Sequence, residues 1–330
     1  MSLPTSKELV RRALSLRSVP RPPFLPLVCS IAAQLEQISI KEMFSSPDLL
    51  ARSVWNAQKL FGYDGVIVLL DPTLEAEACG CAIEWREDGP AVVGHPLADP
   101  GTAGSLDMGQ LASKGRIPVA LEATKRLSLT AGKTVAIAAA LTGPLTLVQH
   151  LSGRAIATAQ EGGLVELRDL LDVAGRIMVQ MSRLYCELKV DVVIIHDEPL
   201  GRLEPNLVEQ LESCFRPVWN VVSFYSAFSI VHTVCSTPKL YRALLKLGAD
   251  GVMGDSAALA DDPASGECCT GLALPLSLLG GDKTEIREQV NALRHSTTAE
   301  PLMLTTEREV RGDVPPEKMR YLVEAVRQAG

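Results

Sequence analysis

The stretch LGADGVMGD, Leu247 to Asp255, decides the fold. Its opening residues close a helical segment, TPKLYRALLKLG, that Gly248 stops. Gly251 to Gly254 then read as a short strand buried on both faces, ending on Asp255. A helix that runs straight into such a strand is the repeating joint of a parallel α/β sheet.

The same alternation recurs on either side. Short runs rich in Val, Ile, Leu and Ala stand at FLPLVCSIA (24–32), GVIVLLD (65–71), TVAIAAAL (134–141), DVVIIHD (191–197), FSIVHTVC (228–235), CCTGLAL (268–274) and LMLTT (302–306). Helical periodicity occupies 45–62, 164–189, 283–296 and 315–330, with Ser46-Pro47-Asp48 and Thr237-Pro238 as N-terminal caps carrying proline at the first helical position. Eight strands with helices between most of them predict one (β/α)8 TIM barrel over residues 1–330, preceded by an N-terminal helical extension. The Gly-, Pro- and Asp-rich residues 84–105 predict a long loop or small hairpin over the mouth. An open doubly wound sheet is the alternative, and no GxGxxG follows the first strand to support its dinucleotide-binding form.

The 330 residues carry a net charge of −7, 47% apolar residues and only 4% aromatic ones. The acidic balance and the lack of a long basic run exclude a nucleic-acid binder. No apolar stretch is long enough for a membrane span, and the N-terminal segment has no uninterrupted apolar core of a signal peptide. The expectation is a cytoplasmic protein, with no membrane partner, whose eight cysteines are reduced and mostly buried; no CxxC pair occurs.

A barrel places its chemistry at the C-terminal ends of its strands. Asp71 and Glu75 follow one end, four residues apart, and suit a general acid/base pair or a contact to a basic substrate; equally they cap a helix or pair with an arginine. His196-Asp197-Glu198 is the densest polar group, with Glu198 the foremost catalytic candidate and His196 and Asp197 candidates for binding substrate or cofactor. Alternation puts His196 and Glu198 on one face and Asp197 on the other. His150, after GPLTL, is a further catalytic candidate or else a helix-surface histidine, and Arg308 and Arg311 suit a carboxylate or phosphate. The vicinal Cys268-Cys269 reads as buried wall. In VHTVCS, His232 and Cys235 are three apart, so a regular strand turns them away from each other.

Several stretches together resemble the uroporphyrinogen decarboxylase superfamily, nearly end to end: KELVRRALSLRSVPRPPFLPL, LFGYDGVIVLLDPTLEAEACGCAIEW, LTGPLTLVQHLSG, DVVIIHDEPLG, LLKLGADGVMGD and GDVPPEKMRYLVEAVRQAG. The superfamily contains decarboxylases and cobalamin-dependent methyltransferases. Its decarboxylases carry an Arg-Gln-x-Gly-Arg stretch after the first strand, where this chain has VCSIAAQLEQIS. Eight buried substrate carboxylates need such cations. Asp71 matches the family aspartate, while His150, Glu198 and Arg308 stand where the family has Tyr, Ser and His. The SIAA and LEAEA stretches are more similar to the methyltransferase branch.

That branch implies a methyltransferase moving a methyl group between a corrinoid, held by a small partner protein, and a thiol, folate or methylated small molecule. It also implies a zinc ion bound by His-x-Cys after the fifth strand and a second cysteine near the last. Here the candidates are Cys235, His232 and Glu198, with Cys235 also catalytic; the third-ligand position falls on Arg308. The alternatives are uroporphyrinogen III decarboxylation in porphyrin biosynthesis, with Asp71 stabilising developing charge, and a non-catalytic corrinoid- or tetrapyrrole-binding protein.

Overall fold

The computed structural model describes residues 4–87, 89–98, 108–154, 156, 164, 167–235, 237–259, 267–298 and 300–328. Among the described residues, seven strands form one parallel sheet. They are β1 (Gly65–Ile67), β4 (Ala136–Thr142), β5 (Val192–His196), β6 (Phe228–His232), β7 (Gly251–Gly254), β8 (Cys269–Leu274) and β9 (Leu302–Thr306), paired in that order. The remaining two strands, β2 (Ile83–Arg86) and β3 (Gly89–Val92), make a separate antiparallel hairpin. It begins one residue before the expected insertion near 84–105, of which residues 88 and 99–105 are outside the described residues.

Burial on both faces explains why these runs are continuously apolar. Along β4, Ala136, Ala138 and Ala140 join one apolar cluster, while Ile137, Ala139 and Leu141 join another. The first cluster lines the concave side with Val192, Ile194, Ile230, Met253 and Met303. Helix Ser6–Leu14, opened by a Thr5–Glu8 capping box, adds Val10, Ala13 and Leu14 to it. The second cluster lies between the sheet and the outer helices, among them Pro47–Phe61, Ile117–Thr130 and Arg168–Glu187.

The run at 24–32 departs from expectation. It forms no ladder strand: Phe24 and Val28 make single parallel bridges to Leu304 and Val310, and helix Ser30–Leu35 begins where a strand was predicted. The extended residues 23–28 still lie between the two sheet edges. Leu25 N donates to Leu304 O at 2.9 Å, and Asp64 N donates to Phe24 O at 2.8 Å. Ser30-Ile31-Ala32-Ala33-Gln34-Leu35 has the apolar content of a strand but no β-branched run, and helix prevails.

Candidate active site

Polar side chains gather at the C-terminal end of the sheet. A cavity of about 630 Å³ is walled on one side by Thr146, Gln149 and His150 and on the other by His196, Glu198 and Arg202. A neighbouring cavity of about 220 Å³ shares Pro72, His196 and Glu198 and adds Glu307, Arg308 and Glu309. His196 therefore stands where the two meet. No helix among the described residues is long and apolar enough to cross a membrane.

Strand register builds the centre. His196 ends β5 and His232 ends β6, and the two residues are direct neighbours in the ladder. Both rings point to the concave side, with Nδ1 of one 3.1 Å from Nδ1 of the other. His232 Nε2 lies 3.2 Å from the Thr306 carbonyl oxygen. That contact reaches from β6 to β9, three strands away, which only a strongly curled sheet allows. A carbonyl only accepts, so His232 carries its proton on Nε2 and is an acceptor at Nδ1. His196 then donates from Nδ1, and its Nε2 keeps a bare lone pair. Burial pushes His196 down to about 4 and His232 to about 3, so both rings are neutral at pH 7.

Asp197 faces the other way, as alternation requires. Its carboxylate accepts from Leu145 N (2.9 Å), Thr146 N (3.1 Å) and Thr146 Oγ (2.7 Å), and so caps helix Pro144–Ser152 from a different strand. Burial raises its pKa to about 6 against those hydrogen bonds. It fixes the helix that carries Thr146, Gln149 and His150. His150 is half-buried, with its basicity lowered by burial, and its Nδ1 is buried without a hydrogen-bond partner.

Asp71 is engaged on both oxygens. Oδ1 accepts from Thr73 N (2.9 Å) and Thr73 Oγ1 (2.8 Å), and Oδ2 accepts from Arg116 Nη1. The same guanidinium donates to Glu77 at 2.7 Å and sits 4.9 Å from the centroid of Trp85, on the β2–β3 hairpin. Arg116 is the main residue that sequence reasoning missed. It lies 45 positions from Asp71 in an unremarked KGRIP stretch, and only the tertiary fold joins them. Glu75 is fully buried and accepts from Thr142 Oγ1 (2.6 Å) and Thr142 N (3.3 Å); burial raises it to about 7. Arg308 is exposed on the rim of the smaller cavity.

The expected zinc ligands are not brought together. The Cys235 thiol packs in the outer apolar cluster and donates to the Thr237 carbonyl at 3.8 Å, with its pKa pushed up to about 12 by burial. Glu198 is exposed and paired with Arg202 at 3.2 Å. Near the last strand, Glu307 accepts from Leu276 N and no cysteine is present. Among the described residues, no three or more His, Cys, Asp or Glu side chains are placed to hold a metal ion. The donor set present does not fit zinc.

Comparison with known proteins agrees with this architecture. Residues 5–329 match the family model described as uroporphyrinogen decarboxylase (URO-D). The "Methylcobamide:CoM methyltransferase MtbA" of Methanosarcina acetivorans is 29% identical over 201 residues, 58% of this chain and 58% of that one. Its counterpart from Methanosarcina mazei is 28% identical over 205 residues, with the same coverage. The match thus spans 58% of the length of these curated relatives. A solved "methyltransferase from Methanosarcina mazei" superposes with a TM-score of 0.85 at 21% identity, covering 98% of this chain and 99% of that one.

Proposed function

Because the chain belongs to the uroporphyrinogen decarboxylase family, we propose that it is an enzyme of the family's methyltransferase branch, moving a methyl group between a corrinoid and a small thiol. The corrinoid arrives on a small partner protein that docks over the C-terminal mouth of one (β/α)8 barrel, whose eighth stave is the extended segment 23–28. The observation that carries this reading is the state of Asp71. A decarboxylase of this family needs that carboxylate free toward the pyrrole N–H groups; here Thr73 and Arg116 occupy both of its oxygens. The apolar helix Ser30–Leu35 supports the same reading, since Ile31, Ala32 and Ala33 are buried where a porphyrinogen's carboxylates would need arginines. Relatives described as methyltransferases support it independently.

His196, Glu198, His150 and Arg308 surround the cavity that would receive the reacting groups. His196 offers an acceptor nitrogen to the incoming thiol. Arg308 and Arg202 supply positive charge for an anionic acceptor or the corrinoid's periphery. Asp197, Glu75 and Asp71 hold the walls.

The test is anaerobic incubation with methylcob(III)alamin and a series of small thiols, followed by the cobalamin spectrum and mass spectrometry of the thioether. Thiol-dependent loss of the methyl–cobalt bond above the protein-free rate is the expected result. No such loss, together with carbon dioxide release from uroporphyrinogen III, overturns the reading in favour of decarboxylation.

A further inference from the structure

The fold family implies a zinc-held thiolate, and this chain has filled that place differently. The implied ligands come from the end of β6 and the end of the last strand. In this chain those two strand ends are joined directly, by the hydrogen bond from His232 Nε2 to the Thr306 carbonyl at 3.2 Å. The cysteine that follows β6 is turned out of the cavity into apolar packing.

What the cavity meets instead is a relay of fixed polarity. The Thr306 carbonyl accepts from His232 Nε2, His232 Nδ1 accepts from His196 Nδ1 at 3.1 Å, and His196 Nε2 is left bare. His196 is shared by the 630 Å³ and 220 Å³ cavities, together with Pro72 and Glu198. Each link of the relay fixes the tautomer of the next, which is how structures orient a basic imidazole.

We infer that this chain activates its acceptor thiol without a zinc ion, and that His196 Nε2, oriented by His232 and the Thr306 carbonyl, takes the thiol proton during methyl transfer. The inference rests on the methyl-transfer reading above. The sulfur forms a bond to the methyl carbon as its proton passes to Nε2. The methyl–cobalt bond of the methyl-corrinoid substrate breaks heterolytically and leaves its electron pair on cobalt, as Co(I). The imidazolium then returns its proton to solvent through the open cavity.

Burial keeps His196 neutral at pH 7, so Nε2 holds a lone pair, and the His232 Nδ1 acceptor at 3.1 Å supports the imidazolium as the proton arrives. The groups that face it are His232 from β6, His150 from helix Pro144–Ser152, and Glu198 with Arg202 from the turn after β5. From the turn after the last strand come Glu307, Arg308 and Glu309, and beyond β1 stands Asp71, already paired with Arg116.

Three measurements test the inference. Elemental analysis after zinc loading and desalting is expected to find no stoichiometric zinc; one zinc per chain overturns it. Nitrogen-15 NMR of histidine-labelled protein at pH 7 is expected to show His196 protonated on Nδ1 and bare on Nε2; the reverse tautomer overturns it. His196→Gln is expected to lower thiol-dependent demethylation roughly 100-fold at pH 7, with the deficit shrinking above the thiol's own pKa, where no base is needed. His196→Asn serves as the second variant if the first misfolds. An unchanged rate, or a deficit constant with pH, overturns the role. If the wild-type chain demethylates the corrinoid with no thiol, the methyl-transfer reading itself fails and takes the base role with it, while the zinc and tautomer results stand separately.

Discussion

Gly143 has no room for a side chain. A Cβ there would sit 2.3 Å from the Cβ of Asp197, which reaches under the helix that Gly143 opens. Gly143→Ala is therefore expected to cost about 1–3 kcal/mol by forced displacement, read as a lower denaturant midpoint with an unchanged slope. Glu75 gives a prediction in pH. Folding raises its pKa from 4.5 to about 7, so the folded chain holds this proton more tightly than the unfolded chain. Its contribution is full below pH 4.5 and is lost as pH rises toward 7, about 3 kcal/mol in all. Glu75→Gln removes that term, so its stability relative to wild type should rise across this window in urea titrations at stepped pH. The two histidines act in the opposite sense. Folding lowers both from 6.5, so their contribution is present above pH 6.5 and is lost as pH falls toward 4 and 3.

Among elements, the hairpin, the helix before β4 and the loop after β1 are joined through one guanidinium. Arg116 contacts Trp85, Glu77, Thr73 and Asp71 and is itself buried. Arg116→Ala leaves the Asp71 carboxylate buried without its cation, which should cost about 3–5 kcal/mol. The double variant Arg116→Met with Asp71→Asn should recover much of that loss in a thermodynamic cycle. The strands and helices of this region were legible in the sequence because two-sided burial writes itself as continuous apolar runs. The partners across the fold were not. His196 and His232 meet because β5 and β6 pair with zero offset at their ends, a register that neither run states alone. Asp197 opposite His196 did follow from alternation, and its place beneath a helix N-terminus did not. His232 and Cys235 diverge as their three-residue spacing requires, and the end of β6 at His232 does not bring them back together. The run at 24–32 misled because apolar content alone does not separate a buried strand from a buried helix turn.

At the scale of the whole molecule, helix Ser6–Leu14 closes the concave side at the end opposite the cavity. Leu14 is 3% exposed and belongs to the interior cluster with Leu25, Ile67 and Met303. Leu14→Ala should cost about 2–5 kcal/mol, seen as a lower thermal midpoint, and leave the histidine tautomers at the far end unchanged in the NMR measurement. The extended segment 23–28 has a different consequence, for synthesis rather than stability. Its amides at Leu25 and Leu27 bond to Leu304 and Thr306, each 279 residues further along the chain. A ribosome makes those partners long after the segment itself. Until then, an apolar stretch that will end up buried has its Asp64 neighbour on one side and an open edge on the other, the condition in which nascent chains aggregate or recruit chaperones. That side of the wall closes only when residues 304–310 reach back across the chain to residues 23–28.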